Sequence, residues 1–151
     1  MKKITSFTID HTKLLPGIYV SRVDHDVVTY DLRVKKPNAG DYMSDVEMHT
    51  FEHMFATYIR NSDIGENVIY FGPMGCQTGF YLLTRGAENV TVLKYTLETL
   101  EKIIAHEGAV FGASEVECGN YMSLDLEAAK RVAREYLSVL RNSVTDFKYR
   151  D

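Results

Sequence analysis

Two imidazoles and a carboxylate fall within the short run His49-Thr50-Phe51-Glu52-His53. On an α-helix, residues four positions apart sit one turn apart on the same face, so His49 and His53 would project side by side and could share a metal ion. A lone His beside an apolar face is usually a boundary residue with a hydrogen-bond partner; a pair at this spacing, with a Glu before its second member, points to metal. Glu52 could then move a proton at a metal-held substrate or orient an imidazole from behind.

Two His leave the coordination incomplete, and sequence spacing offers Cys76, Cys118, Glu115 or Glu117 as the missing partner without choosing among them. Both cysteines together would close the site, as in structural zinc sites; one alone would leave a position open for water or substrate, as in catalytic ones. The cysteines show no paired spacing of a zinc ribbon or redox motif. Cys76 lies in Gly72-Pro73-Met74-Gly75-Cys76-Gln77-Thr78-Gly79, a run rich in Gly that makes a tight loop, which can surround the thiol with backbone N–H groups and favour the thiolate or can be an ordinary hairpin turn with a bystander Cys.

The elements that must position these groups follow from periodicity. Ser44 with Glu47 three residues on is a capping-box signature, and Met48, Phe51, Phe55, Tyr58 and Ile59 recur at helical spacing, so Ser44 to Ile59 reads as the helix carrying the His pair. Ile18–Val23 and Val27–Val34 read as strands joined by a hairpin at Asp24-His25-Asp26, with His25 a solvated turn residue. Val68–Phe71 and Phe80–Thr84 flank the Cys76 loop as further strands. Helices are expected from about Val90 to His106, with His106 at the surface complementing the helix dipole, and from Asp125 to Leu140. Ser6 to Ile9 reads as a short strand followed by a turn, and Asp146 to Asp151 as a frayed end. This order predicts an α+β fold, a mainly antiparallel sheet with about three helices packed on it, in a single domain spanning 1–151.

Composition narrows the partners. The chain has 151 residues, 45% hydrophobic and 25% charged, which suits one domain with a sizeable core. Its net charge of −4 argues against nucleic acid or an anionic membrane surface as partner. No apolar run is long enough to span a bilayer, so a cytoplasmic location is expected, where a disulfide between Cys76 and Cys118 is disfavoured.

Taken in order, Ser6-Phe7-x-x-Asp10-His11, Asp31-x-Arg33-x-x-x-Pro37-Asn38, His49-Thr50-x-Glu52-His53, Pro73-Met74-Gly75-Cys76-Gln77-Thr78-Gly79, Cys118-Gly119 and Leu126-Glu127-x-Ala129-Lys130 resemble the S-ribosylhomocysteine lyase (LuxS) family across almost the whole chain. The resemblance implies that His49, His53 and Cys118 ligate one divalent metal per subunit, Fe²⁺ replaceable by Zn²⁺ or Co²⁺, with Cys76 and Glu52 as the acid/base pair. It implies that Ser6, His11 and Arg33 hold the substrate, S-ribosylhomocysteine, in a homodimer with its sites at the subunit interface. The implied products are homocysteine and 4,5-dihydroxy-2,3-pentanedione, precursor of the quorum-sensing signal autoinducer-2, which would link the chain to the methionine cycle.

Those residue types match that chemistry. Moving a sugar carbonyl along its chain removes protons next to it, and the enediolates that result need a Lewis acid; the final β-elimination needs a base at C4. Two rivals share part of the pattern. An inverted zinc peptidase also carries H-x-x-E-H but would use a Glu as third ligand and leave Cys76 idle, while a metal-stabilised binding module would need a fourth protein ligand. Tyr70 stands where many relatives carry Asp, Gly72 where Ser is frequent, and Glu115-Val116-Glu117 replaces a more usual Glu-Lys-Gln, departures that bear on the pocket and leave the metal and acid/base set intact.

Overall fold

Four antiparallel strands make one sheet in the order β1-β2-β4-β3, from β1 (Gly17–Asp24), β2 (Val27–Arg33), β3 (Val68–Pro73) and β4 (Gly79–Arg85). Three helices, α1 (Asp45–Arg60), α2 (Asn89–Ala105) and α3 (Leu126–Arg141), complete the α+β fold. The computed structural model describes residues 1–143 and 145–150.

Alternation along the strands decides which face the helices cover. Ile18, Tyr30, Leu32, Phe71, Phe80 and Leu82 belong to the core shared with Phe51, Met54 and Phe55 of α1. Phe51 lies 4.8 Å from Phe80, and Phe55 stacks on Phe71 at 4.3 Å, ring centre to ring centre. Rings at these separations add their own attraction to the burial of apolar area. The expected capping box is present: Glu47 N–H donates to Ser44 Oγ at 3.1 Å and Ser44 N–H donates to Glu47 Oε1 at 3.0 Å. Burial of Phe51, Met54, Phe55 and Ile59 thereby sets the rotation of α1, leaving His49, Glu52 and His53 half-buried on its flank.

Strand β2 breaks the simple inside/outside rule. Tyr30 and Leu32 point into the core, so Asp31 and Arg33 point to the opposite face. Both are nonetheless buried, at 1% and 2% exposure. Across the ladders Asp31 faces Tyr19 of β1 and Tyr81 of β4.

What covers this outer face includes the C-terminal tail, where the sequence reading is corrected. Residues 146–150 do not fray. Val20 N–H donates to the Phe147 carbonyl at 2.8 Å, Phe147 is 8% exposed against Tyr30, and Tyr149 stacks on Tyr19 at 4.9 Å. Phe147, whose backbone turns left-handed at φ +63°, packs into the core while Tyr149 lies on the outer face, so the tail grips both sides of the β1 edge; Asp151 lies outside the described residues. A second correction concerns the N-terminal segment, where a 3-10 turn, Thr5–Phe7, replaces the expected strand at Ser6 to Ile9. Local side-chain bonds stabilise turns here: Thr8 Oγ1 donates to the Thr5 carbonyl at 2.6 Å, and Asp10 Oδ1 accepts from Thr12 N–H at 2.9 Å.

Candidate metal centre and catalytic thiol

His49 and His53 stand one turn apart on α1 with ring centres 4.7 Å apart and planes nearly perpendicular, at 89°. Each ring is held from behind by a backbone carbonyl. His49 Nδ1 lies 3.2 Å from the Ser123 carbonyl and His53 Nδ1 lies 2.8 Å from that of Phe111. A carbonyl can only accept, so in both rings Nδ1 carries the hydrogen and Nε2 presents its lone pair, the form that a metal needs.

Cys118 completes the group. Its Sγ lies 3.4 Å from His49 Nε2 and accepts from Asn120 N–H at 3.4 Å. The ligand atoms of His49, His53 and Cys118 all lie within 4.8 Å of one another. A tetrahedral ion with ordinary metal–nitrogen and metal–sulfur lengths would separate such ligands by about 3.5 Å, so the donor set fits a divalent metal, with the fourth position free of protein. Among the described residues no other His, Cys, Asp or Glu joins this group. Glu117 instead accepts the Ser114 hydroxyl at 2.5 Å. Of the four partners that spacing left open, only Cys118 is brought to the His pair.

Sequence reasoning missed how tightly the following loop is fitted. Gly112, at φ +69°, leaves room for His53: a Cβ there would stand 3.0 Å from His53 Nδ1. His106 also departs from the surface role expected of it. It is half-buried, its Nε2 donating to the Ala109 carbonyl at 2.8 Å and its Nδ1 accepting from Tyr58 Oη at 2.6 Å. With Tyr58 and Phe111 it forms an aromatic cluster beneath the loop that aims the Phe111 carbonyl. The carboxylate of Glu52, on the same flank of α1, makes no hydrogen bond or ion pair among the described residues.

The second constellation surrounds Cys76, exposed at the tip of the turn between β3 and β4. Of the two readings of this loop, the backbone cradle is not the one found: no backbone N–H donates to the sulfur among the described residues, and the polar contacts come from side chains. Arg33 Nη1 lies 3.7 Å from Cys76 Sγ and donates to Thr78 Oγ1 at 2.8 Å. Thr78 Oγ1 lies 3.0 Å from the sulfur, and because it accepts from Arg33 its own hydrogen is free to point there. Arg33 is fixed by a two-pronged ion pair, Nε to Asp31 Oδ1 at 3.1 Å and Nη2 to Asp31 Oδ2 at 2.7 Å. Burial works against the guanidinium's charge, but Asp31 and then Cys76 outweigh it and hold the pKa of Arg33 above the ordinary arginine value. Arg33, which the resemblance expects to help hold the substrate, is buried with its guanidinium against the thiol. Sequence reasoning gives its motif partners Asp31 and Thr78 no role, although a charge pair two residues apart on one strand face is a legible sign.

Ser6 and His11 form a third location. Ser6 ends up half-buried, lining a cavity of about 410 Å³ on the outer sheet face with Tyr70, Tyr81 and Leu83. His11 Nδ1 donates to the Ile9 carbonyl at 2.9 Å, leaving Nε2 free. No hydrogen bond among the described residues joins the His/Cys group, the Cys76 cluster and this N-terminal segment.

An antiparallel sheet backed by helices, with a two-His, one-Cys group at one place and a charge-clamped thiol at another, defines a protein with a candidate open metal site and a separate, polar-lined cysteine. The family model described as S-Ribosylhomocysteinase (LuxS) matches residues 4–146. The chain is 46% identical over 148 residues to a protein of Borreliella burgdorferi (strain ZS7), covering 94% of each chain. It is 44% identical over 152 residues to one of Clostridium beijerinckii, covering 97% of this chain and 96% of the relative. A Phocaeicola vulgatus protein is 44% identical over 156 residues, covering 99% and 97%. All three bear the name S-ribosylhomocysteine lyase. The chain belongs to the S-ribosylhomocysteinase (LuxS) family.

Proposed function

We propose that the chain is an S-ribosylhomocysteine lyase, a carbon–sulfur lyase that converts S-ribosylhomocysteine to homocysteine and 4,5-dihydroxy-2,3-pentanedione, the autoinducer-2 precursor. The observation that carries this reading is the pairing, in a chain of that family, of an open His49/His53/Cys118 group with a thiol at Cys76 clamped by Arg33 and Thr78.

His49, His53 and Cys118 are the proposed ligands of one divalent metal per subunit. When bound, the metal supplies Lewis acidity, lowering the cost of negative charge on a neighbouring substrate oxygen. Fe²⁺ is the proposed native ion, with Zn²⁺ or Co²⁺ able to substitute, since imidazole and thiolate suit all three.

Cys76 Sγ is the proposed base and acid of the carbonyl migrations. As a thiolate it accepts a proton from a carbon beside the sugar carbonyl and returns it to the next carbon, so the carbonyl shifts with no net oxidation. The Arg33 guanidinium and the Thr78 hydroxyl are placed to stabilise the negative sulfur between these steps. Once the carbonyl reaches C3, Glu52 takes the C4 proton. The C4–H electrons form the C4–C5 double bond, the C5–S bond breaks, and homocysteine leaves as its thiolate to be protonated. A carboxylate without a competing partner, as Glu52 is among the described residues, suits this role.

Ser6, His11 and Arg33 are proposed to help hold the substrate, Arg33 from its place against Cys76. A homodimer with its sites at the interface is also proposed: Ile4, Phe7 and Tyr70 are exposed apolar surface beside the cavity that Ser6 lines, which a second copy would cover. We read the whole of 1–151 as one catalytic domain. No helix of the described residues is long and apolar enough to cross a membrane. The cytoplasm is the proposed location, in keeping with two free cysteines.

The test is incubation of the metal-loaded protein with S-ribosylhomocysteine and colorimetric detection of free thiol. Stoichiometric thiol release is expected; none from fully loaded protein would overturn the reading.

A further inference from the structure

Arg33 and Asp31 form a buried ion pair on the sheet face that the helices leave open, and such a pair is stable only if its remaining hydrogen-bonding capacity is met and water is kept away. Three tyrosines ring it: Tyr19 and Tyr81 face Asp31 across the ladders, and Tyr149 reaches it from the tail. Of the three, only Tyr149 hydrogen-bonds to the pair among the described residues. Its Oη donates to Asp31 Oδ2 at 2.8 Å, the same oxygen that receives Arg33 Nη2. Its ring stacks on Tyr19 at 4.9 Å and 19°. The tail is tied on by the Val20 to Phe147 backbone bond and by Thr145 Oγ1 donating to the Ile18 carbonyl at 3.2 Å.

We infer that Tyr149 is a positioning residue, which holds the Asp31–Arg33 pair in the arrangement that aims Arg33 at Cys76 and so makes the C-terminal tail part of the thiol's machinery. The chain of contacts is continuous: Tyr149 Oη to Asp31 Oδ2, Asp31 to both prongs of Arg33, Arg33 Nη1 to Thr78 Oγ1 and Cys76 Sγ. Tyr149 acts at the far end, without touching substrate. Removing the hydroxyl leaves Asp31 Oδ2 with one donor fewer in a nearly dry site, and the carboxylate can turn to seek another. Arg33 follows its two-pronged partner and leaves the sulfur. Tyr149 is suited to a donor's role because burial, and after it the charge of Asp31, push its pKa far above the ordinary tyrosine value, so it keeps its hydrogen throughout the neutral range.

The inference rests on the proposed role of Cys76, and its test is chosen to stand apart from turnover. Wild type, Tyr149→Phe, Tyr149→Ala and the exposed control Lys148→Ala, all metal-loaded, are treated with iodoacetamide at neutral pH, and labelling of the Cys76 peptide is followed by mass spectrometry. Phenylalanine keeps the stacked ring and removes only the hydroxyl. The Cys76 labelling rate is expected to fall about three- to tenfold in Tyr149→Phe, further in Tyr149→Ala, and not in Lys148→Ala. The kcat for thiol release should fall with it while KM stays level. Equal labelling rates in wild type and Tyr149→Phe would overturn the inference. Labelling that depends on Tyr149 in a protein that releases no homocysteine would overturn the functional reading and leave the inference standing.

Discussion

Gly112 and His53 are fitted to each other: the ring nitrogen that donates to the Phe111 carbonyl is the atom a Cβ at position 112 would meet at 3.0 Å. The loop between α2 and α3 thus orients a proposed metal ligand through its backbone and stays clear of it by lacking a side chain.

Gly112→Ala is therefore expected to weaken metal binding by about tenfold, the usual cost of disturbing a contact behind a ligand. The positive φ adds a strain of about 1 kcal/mol. Competition against a chromophoric chelator measures the first effect and urea unfolding the second; unchanged metal affinity would mean that His53 does not depend on this loop.

Gly72 and Tyr70 show a second fitted pair. A Cβ at Gly72 would lie 2.1 Å from Tyr70 Oη, so the tyrosine fills the space that a serine there would need. Tyr70 and Gly72 are two of the positions at which the family resemblance leads one to expect other residues, and the contact gives a physical reason for both departures occurring together. Tyr70 is 51% exposed, so Gly72→Ser is expected to swing it aside with less than about 0.5 kcal/mol of lost stability, as for ordinary surface changes. Because Tyr70 lines the cavity with Ser6, KM should change while Tm does not. A large fall in Tm would contradict this.

The tyrosines around Asp31 set the alkaline limit of stability. Burial first, and then the negative charge of Asp31, raise the pKa values of Tyr19, Tyr81, Tyr136 and Tyr149 above the ordinary value of 10.0. Above about pH 10 the unfolded chain loses these protons while the folded chain keeps them, so the unfolded state binds fewer protons and stability falls as pH rises. The contribution is fully present below pH 10. Urea midpoints measured from neutral pH upward should stay level and then drop beyond that point, less steeply for Tyr149→Phe; a flat profile would contradict the burial of these phenols.

Much of this was legible in the residues themselves. Ser44 with Glu47, followed by apolar residues at helical spacing, marked α1 and the shared flank of its His pair, because capping and periodicity are local. The third member of the group was not legible in that way: Cys118 lies 69 positions from His49, and only the resemblance singled it out from the other candidates before the fold brought it there. The same limit hid the tail. Nothing in Phe147-Lys148-Tyr149 announces a contact, and the bond from Tyr149 to Asp31 spans 118 positions. The N-terminal segment misled for the opposite reason, since a short alternation of side chains at Ser6 to Ile9 has no partner strand, and local hydroxyl and carboxylate bonds decide its shape.

The central claim is that Cys76 does the proton chemistry and the His49/His53/Cys118 group holds the metal, as separate duties. Thiol release from S-ribosylhomocysteine by Cys76→Ala, with metal content determined on the same sample under anaerobic conditions, tests it most directly. The proposal predicts one metal per subunit, as in wild type, with turnover reduced about a hundred- to ten-thousandfold, as for loss of a proton-transferring group. Full turnover by this variant would contradict it, and so would loss of the metal along with the thiol.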